Sequence, residues 1–162
     1  MSRYILTIGT GKKLFVDLAV NLARSFLYWN TGNGIIFQLV TDQPDLVPAD
    51  LYRKIQVITI KPGELGLGFS TKLHLDKLVS EGQTLFIDSD CLIYGDLNPV
   101  FEKFKGHDVS VVGDYIATGD WFGNVDAVCK KFDVSHLPKF NGGIYYLEKG
   151  DMASKVYQMA RQ

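Results

Sequence analysis

Two aspartates separated by one residue, in the segment Asp88-Ser89-Asp90, are the first candidates for chemistry in this 162-residue chain. Alternate residues of an extended chain point to the same side, so both carboxylates can face one ion. Mg²⁺ and Mn²⁺ prefer oxygen ligands, and such an ion could bridge a substrate diphosphate. The spacing alone is weak, because 14 Asp residues give about one such triplet by chance. The alternative is a turn in which Asp90 is a solvated loop residue.

The residues before this triplet favour the metal interpretation. Leu85-Phe86-Ile87 is typical of a fully buried strand, so Asp88, which follows it directly, lies where the dielectric constant is low. Two neighbouring carboxylates there repel each other, and one must take up a proton unless a cation lies between them. A divalent metal ion is the simplest resolution.

A second candidate is Lys72, within Thr71-Lys72-Leu73-His74. Ser70 is a favourable N-cap, and the pattern predicts a helix over 71–79. Lys72 would then lie in the first turn beside exposed backbone N–H groups, a setting that favours a phosphate. The alternative is an ordinary exposed lysine. We interpret His74 as structural.

Two glycine-containing segments are further candidates. In Asn141-Gly142-Gly143 the glycines let the backbone approach a ligand, and the Asn141 amide offers a donor and an acceptor to sugar hydroxyls. The alternative there is a turn that leads into a strand. Gly9 and Thr10 follow a short apolar strand and are candidates to contact a nucleotide base or ribose. The spacing around them is not that of a P-loop.

Composition excludes several function classes. Lys plus Arg total 17 and Asp plus Glu total 18, which argues against a strongly basic nucleic-acid binder. The two cysteines, Cys91 and Cys129, have no zinc-ligand spacing and cannot form a disulfide framework, so we expect a reducing, cytoplasmic compartment. No signal peptide, transmembrane run or G-x-S-x-G motif is recognised.

The elements that must position these residues alternate between strand and helix. Apolar segments predict six strands: 4–8, 35–40, 56–60, 84–87, 109–112 and 143–147. Between or after them, apolar spacing predicts helices after Gly11, over 71–79, over 122–132 and from a cap at Asp151. This order predicts one α/β domain over 1–162, with three α/β/α layers and a mostly parallel sheet. Ligands of such sheets bind at the carboxyl ends of the strands.

Taken in order, these motifs resemble a GT-A glycosyltransferase of family 8, the group of glycogenin and the bacterial lipopolysaccharide galactosyltransferases. The resemblance is carried by Thr71-Lys72-Leu73-His74, by the strand that ends in Asp88-Ser89-Asp90, and by Phe140-Asn141-Gly142-Gly143-Ile144. Gly95-Asp96-Leu97 after the aspartate pair also fits. The order and spacing of the motifs are more specific than any one of them.

The resemblance implies a nucleotide-diphosphosugar donor, usually UDP-linked, with Mn²⁺ or Mg²⁺. Asp88 and Asp90 would reach the metal, and Ser89 would lie near the ribose. Lys72 would meet the donor's phosphate or sugar, and Asn141 the transferred sugar, beside Gly142. The remaining implied positions are Asp114, as an acid near the sugars, and Gly9 and Thr10, which would line the nucleotide pocket.

Two departures from the family pattern bear on this expectation. The loop at Gly9 and Thr10 lacks the family's more usual polar residues. Family members also continue into a D-Q-x-x-L/F-N segment and a later metal-binding histidine, so the sequence is expected to be an incomplete or reduced domain.

The resulting expectation is a metal-dependent transferase that moves a sugar to a glycan or other hydroxyl acceptor, with retention of configuration. The alternatives are a non-catalytic nucleotide-sugar-binding remnant, a phosphohydrolase with Asp88 as nucleophile, and an interaction module that only keeps the fold.

Overall fold

A six-stranded mixed sheet forms the centre of the protein, which a computed structural model describes for residues 1–66 and 68–162 (for Phe69, the backbone only). The strands are β1 (Arg3–Ile8), β2 (Ile35–Thr41), β3 (Gln56–Thr59), β4 (Gln83–Ile87), β5 (Val109–Ile116) and β6 (Leu137–Glu148). Their order across the sheet is β3-β2-β1-β4-β6-β5.

The first four strands are parallel and the last two are antiparallel to their neighbours. The carboxyl ends of β1 to β4 therefore meet at one edge of the sheet. The chain runs outward from β1 to β2 and β3 and then returns to place β4 on the other side of β1. Such a reversal opens a crevice at the carboxyl ends, where ligands of open α/β sheets bind. The predicted fold class, an α/β protein with a mostly parallel sheet, is confirmed.

Helices cover both faces of the sheet. They are α1 (Lys13–Asn30), α2 (Leu75–Leu78), α3 (Asn98–Phe104), α4 (Val125–Phe132) and α5 (Asp151–Ala160). On one face α1 and α3 pack in a core that contains Phe37 and Phe101. On the other face α2 and α5 contribute Leu75 and Tyr157 to a second core around Phe86. Among the described residues, we find no helix with the length and apolarity needed to cross a bilayer.

The helix predicted over 71–79 is wrong in its type and start. A 3-10 helix spans Gly68–His74, and only the single turn of α2 follows it. Within the 3-10 turn the Thr71 hydroxyl donates to the Gly68 carbonyl. The tighter winding of a 3-10 helix gives Lys72 a different direction from the one that a continuous α-helix predicts.

The last two strands are longer than predicted. β5 continues to Ile116 and β6 begins at Leu137, because the two strands pair with each other beyond the body of the sheet. An irregularity between Val111 and Gly113 shifts their register. A Cβ atom on Gly113 would lie 2.2 Å from the Lys139 carbonyl oxygen, so glycine is required where the strands come so close.

The starts of the last two helices also differ from the prediction. α4 begins at Val125, where the Asn124 side chain accepts a hydrogen bond from the Ala127 N–H. Gly150, not Asp151, occupies the cap position of α5. Asp151 is instead the first helical residue, where its negative charge suits the helix dipole.

Candidate functional site

A cleft of about 530 Å³ opens at the carboxyl ends of the parallel strands. Each of these strands delivers a residue to its wall. Ile8 ends β1, Asp42 follows β2, Ile60 follows β3 and Asp88 follows β4. The volume lies in the range of small-molecule and cofactor sites. The cleft is therefore located where the fold predicts a ligand.

The aspartate pair lies on one wall of this cleft. Asp88, Ser89 and Asp90 all line it, together with Lys72. The Lys72 ammonium donates to Asp88 Oδ2 at 2.7 Å and to the Gly142 carbonyl oxygen at 2.9 Å. About a quarter of the Asp88 side chain and a fifth of the Lys72 side chain remain exposed. The ion pair is thus partly buried, at the rim of the cleft and open to it.

The sheet fixes the position of Asp88. Its N–H donates to the Gly143 carbonyl oxygen at 2.8 Å, which continues the pairing of β4 with β6. The Asp88 carbonyl then accepts from the Cys91 N–H at 3.1 Å and closes a turn. A Cβ atom on Gly143 would lie 3.0 Å from Asn141 Oδ1 and 3.5 Å from Asp88 Oδ2. Gly143 therefore leaves room for Asp88 beside β6.

The last helix holds the segment that carries Lys72. Arg161 forms a bidentate ion pair with Asp76, with nitrogen–oxygen distances of 2.6 and 3.0 Å, and also donates to the Leu73 carbonyl oxygen. The Asp76 side chain is 6 % exposed. Bidentate pairs of this kind restrict geometry strongly. The segment is thus tied to the last helix, while the Lys72 ammonium is held by Asp88 and the Gly142 carbonyl.

His74, which we interpret as structural, lies in the same segment and does not line the cleft. Burial lowers the pKa of its imidazole, and the charges of Lys77 and Arg161 lower it further, although Asp76 opposes them. Its Nδ1 atom is buried and has no hydrogen-bond partner within the described part of the chain. A neutral imidazole fits this environment.

The two residues after β1, Gly9 and Thr10, have different surroundings. Of the two residues expected to contact the nucleotide, Thr10 lines the cleft and Gly9 does not. A Cβ atom on Gly9 would lie 2.9 Å from the Phe15 carbonyl oxygen and 3.1 Å from Ala19 Cβ. Gly9 is a glycine because α1 packs closely against the end of β1.

Sequence reasoning missed Gly11 and Asp42. The Gly11 N–H donates to both carboxylate oxygens of Asp42, at 3.0 and 3.2 Å, and both residues line the cleft. The segment Thr41-Asp42-Gln43-Pro44 looks like a turn. Its position directly after a parallel strand was the signal that could have identified Asp42.

The remaining predicted positions lie beside the cleft or away from it. Asn141 and Gly142 are within β6, not in a turn that leads into it, and Gly142 reaches the site through its contact with Lys72. Asn141 is exposed, and its Oδ1 accepts from the Gly143 N–H at 2.8 Å. Asp114 is exposed on β5 opposite Lys139 and does not line the cleft.

The negative charge of the pair affects neighbouring groups. Burial raises the pKa of the Cys91 thiol, and Asp90 and Asp88 raise it further, while Lys72 lowers it. Burial likewise raises the pKa of the Tyr145 hydroxyl, and Asp88 adds to this effect. Within residues 1–66 and 68–162, no three Asp, Glu, His or Cys side chains gather in a metal-binding arrangement. A metal at Asp88 and Asp90 would need further oxygen ligands from its substrate or from water.

The sheet order and the cleft at its carboxyl edge define the class: this chain has the fold of the GT-A nucleotide-sugar transferases. No family model and no curated protein matches its sequence. Similarity is instead found among solved structures. Their sequence identities to this chain are low, so the similarity shows the fold alone.

Three of these structures illustrate the similarity. The galactosyltransferase LgtC, solved with donor and acceptor sugar analogues, has a TM-score of 0.64 and 15 % identity over 93 % of this chain and 59 % of LgtC. The glycosyltransferase GlyE of Streptococcus pneumoniae TIGR4 has a TM-score of 0.57 and 17 % identity over 98 % of this chain and 37 % of GlyE. A Bacillus anthracis protein described as a glucose-1-phosphate thymidylyltransferase has a TM-score of 0.54 and 12 % identity over 99 % of this chain and 75 % of that protein. This chain therefore spans about a third of the length of GlyE and three fifths of that of LgtC.

Proposed function

We propose that the cleft binds a nucleotide-diphosphosugar and that the protein transfers its sugar to an acceptor hydroxyl. The observation that carries this proposal is the placement of Asp88, Ser89 and Asp90 on one cleft wall, beside the Lys72 ammonium. A UDP-linked donor and retention of configuration, as in family 8, are part of the proposal. They rest on the motif resemblance.

The aspartate pair fits a divalent metal as part of a ligand set. Its carboxylate oxygens are the hard donors that Mn²⁺ and Mg²⁺ prefer, and both residues face the same open cleft. Diphosphate oxygens and water would complete the coordination. When bound, the metal would neutralise charge on the departing nucleoside diphosphate.

The chain's own residues supply the remaining recognition. Lys72 holds Asp88 in place, and its ammonium lies where it can also attract a donor phosphate. Apolar side chains of Ile8, Phe15 and Ile60 line the same cleft and suit the face of a nucleotide base. Ser89 and Thr10 also line the cleft, and we expect them to hydrogen-bond the ribose.

Ligand-dependent stabilisation tests the proposal directly. UDP-glucose and UDP-galactose are added with and without Mn²⁺, and thermal unfolding is followed. A ligand at 100 times its Kd adds about 2.7 kcal/mol to the free energy of unfolding. For a chain of this size that corresponds to roughly 5–11 °C in Tm. We expect a Mn²⁺-dependent increase with at least one donor.

Charge-matched variants locate the effect. Asp90→Asn should abolish the Mn²⁺-dependent increase. Asp108→Asn should keep it, since Asp108 is exposed at the opposite, amino edge of the sheet. No increase with any donor, or equal loss in both variants, would reject the proposed site.

The rival functions give different results. Donor binding without release of UDP, in the presence of sugar acceptors, would favour a non-catalytic binding module. A phosphohydrolase would form a phosphorylated Asp88, detectable by mass spectrometry. The position of Asp88 after the fourth strand counts against that alternative, since such nucleophiles normally follow the first.

A further inference from the structure

A row of aromatic rings connects the cleft to the protein surface. Phe86 lines the cleft, and its ring centroid lies 6.0 Å from that of Tyr145. The row continues from Tyr145 to Phe140 at 6.0 Å and from Phe140 to Trp121 at 6.4 Å. It ends at Phe122, 5.6 Å beyond Trp121. We call these five residues the aromatic row.

The outer end of the row is held out in solvent by an ordered loop. The Phe122 side chain is 100 % exposed. Its φ angle of 51° lies in the left-handed region, which bulky residues rarely adopt. The loop around it is closed by hydrogen bonds from the Trp121 N–H to the Gly123 carbonyl and from the Val125 N–H to the Gly119 carbonyl, at 2.9 and 2.8 Å. The backbone thus holds an aromatic ring in water, at a conformational cost, instead of burying it.

We propose that Trp121, Phe122 and Phe140 bind the pyranose ring of a glycan acceptor, an inference that rests on the proposed sugar transfer. A pyranose presents an apolar C–H face to an aromatic ring and hydroxyl groups around its edge. Ligand sites of this kind combine aromatic faces with a few polar groups.

Exposed polar residues also lie close to Phe140 in the paired strands. Lys139 and Asn141 precede and follow Phe140 in the chain, and both are exposed. Asp114 lies opposite Lys139 in the pairing of β5 with β6. These side chains can donate to and accept from ring hydroxyls.

The connection of these rings to a residue of the cleft wall favours a sugar acceptor over an unrelated ligand. The acceptor hydroxyl must meet the transferred sugar next to the aspartate pair. Tyr145 joins the row to that position. Its ring is tilted by 49° against that of Phe86. Its hydroxyl lies 3.2 Å from the place of a Cβ atom on Gly142, whose carbonyl binds Lys72. The row therefore links the exposed Phe122 ring to Phe86, which is buried at the wall of the cleft.

The fluorescence of Trp121 can report whether a sugar binds to the row. The chain has two tryptophans, so Trp29→Phe leaves Trp121 alone. The Trp29→Phe variant is titrated with methyl β-D-galactopyranoside and with methyl α-D-glucopyranoside. Glycerol, a polyol that has no ring face, is the control. We expect a saturable change in fluorescence with at least one glycoside and none with glycerol. Adding Phe122→Ala or Phe122→Gly should weaken binding about two- to twelvefold, the range expected for the loss of one aromatic contact.

Two controls separate the possible outcomes. Phe132→Ala removes another exposed phenylalanine, outside the row, and should leave the affinity unchanged. No saturable change with either glycoside, with or without UDP and Mn²⁺, overturns the inference. The same holds if Phe122→Ala alters sedimentation but not glycoside binding, because the surface would then bind another protein chain.

The donor experiment distinguishes this inference from the proposed function. If glycosides bind but no nucleotide sugar stabilises the protein, the proposed function fails and the row is a sugar site of another kind. If nucleotide sugars bind through Asp90 but no glycoside binds the row, only the acceptor inference fails.

Discussion

Replacing Lys72 by methionine should destabilise the protein and make its stability depend on divalent metal. The variant keeps a side chain of similar length but removes the ammonium that lies 2.7 Å from Asp88. Asp88 would then face the charge of Asp90 without a compensating cation, and the Gly142 carbonyl would lose the donor at 2.9 Å.

The size of the effect follows from the burial of the pair. Exposed ion pairs contribute about 0–1 kcal/mol, and breaking a fully buried pair costs about 3–5 kcal/mol. The side chains here are 21 % and 26 % exposed, which places the pair between these limits. We expect a loss of about 1–2 kcal/mol, which corresponds to roughly 2–8 °C in Tm for a chain of this size.

The assay is urea and thermal unfolding of the wild type, Lys72→Met, Asp88→Asn and the double variant, each with and without Mn²⁺. The double-mutant cycle should give a coupling of about 1–2 kcal/mol. Mn²⁺ should recover part of the lost stability in Lys72→Met, because it restores a positive charge between the aspartates, but not in the double variant. Additive single effects, or a variant that Mn²⁺ leaves unchanged, would refute this account of the site.

Three further predictions concern neighbouring residues. Gly9→Ala should lower the free energy of unfolding in urea by about 1–3 kcal/mol, since its Cβ would lie 2.9 Å from the Phe15 carbonyl oxygen. Gly95→Ala serves as the control, because its Cβ would meet no atom within 4 Å. Equal stabilities of the two variants would contradict the close packing at Gly9. The pKa of His74 is lowered below 6.5 in the folded state, so the unfolded chain binds its proton first and stability is lost as pH falls below about 6.5. The free energy of unfolding, measured between pH 7.5 and 5.5, should therefore fall less in His74→Gln than in the wild type, and parallel curves would show that His74 does not titrate differently on folding. Asp90→Asn should speed alkylation of Cys91 by iodoacetamide at pH 8, because Asp90 raises the pKa of that thiol; an unchanged rate would mean that the carboxylate does not influence it.

The parallel half of the fold could be predicted from sequence. The predicted strands 4–8, 35–40 and 84–87 agree with β1, β2 and β4 within one residue at each end. Each is a short apolar run bounded by residues that break a strand, so its local pattern and its burial point to the same structure. The placement of the aspartate pair at the end of β4 follows directly from this pattern.

The antiparallel half could not be predicted in the same way. The predicted strand 143–147 covers less than half of β6, whose first residues, Leu137-Pro138-Lys139, have no apolar alternation. They form a strand because β5 lies beside them, with Ile116 opposite Leu137. Pairing with a partner strand thus overrides the local pattern.

In the first turn of α1 the local pattern also fails to predict which side chains are buried. Apolar residues at intervals of four form two rows in this helix, Leu14-Leu18-Leu22-Phe26 and Phe15-Ala19-Ala23-Leu27. These rows predict a buried face, yet Leu14 and Phe15 are 59 % and 40 % exposed. Val16 and Val20, outside both rows, are buried instead. Phe15 lines the cleft instead of the core. Apolar spacing alone does not indicate which apolar side chains face a cleft.

By itself the sequence determined the alternation of strands and helices, the end of β4 and the pair of aspartates there, because these depend on residues that are close together in the chain. Tertiary structure decided what surrounds that pair. Lys72 reaches Asp88 across 16 positions and Gly142 across 70, and Arg161 holds Asp76 across 85. Such contacts exist only once the crossovers have placed β4, β6 and the last helix side by side, and no local pattern encodes those distances.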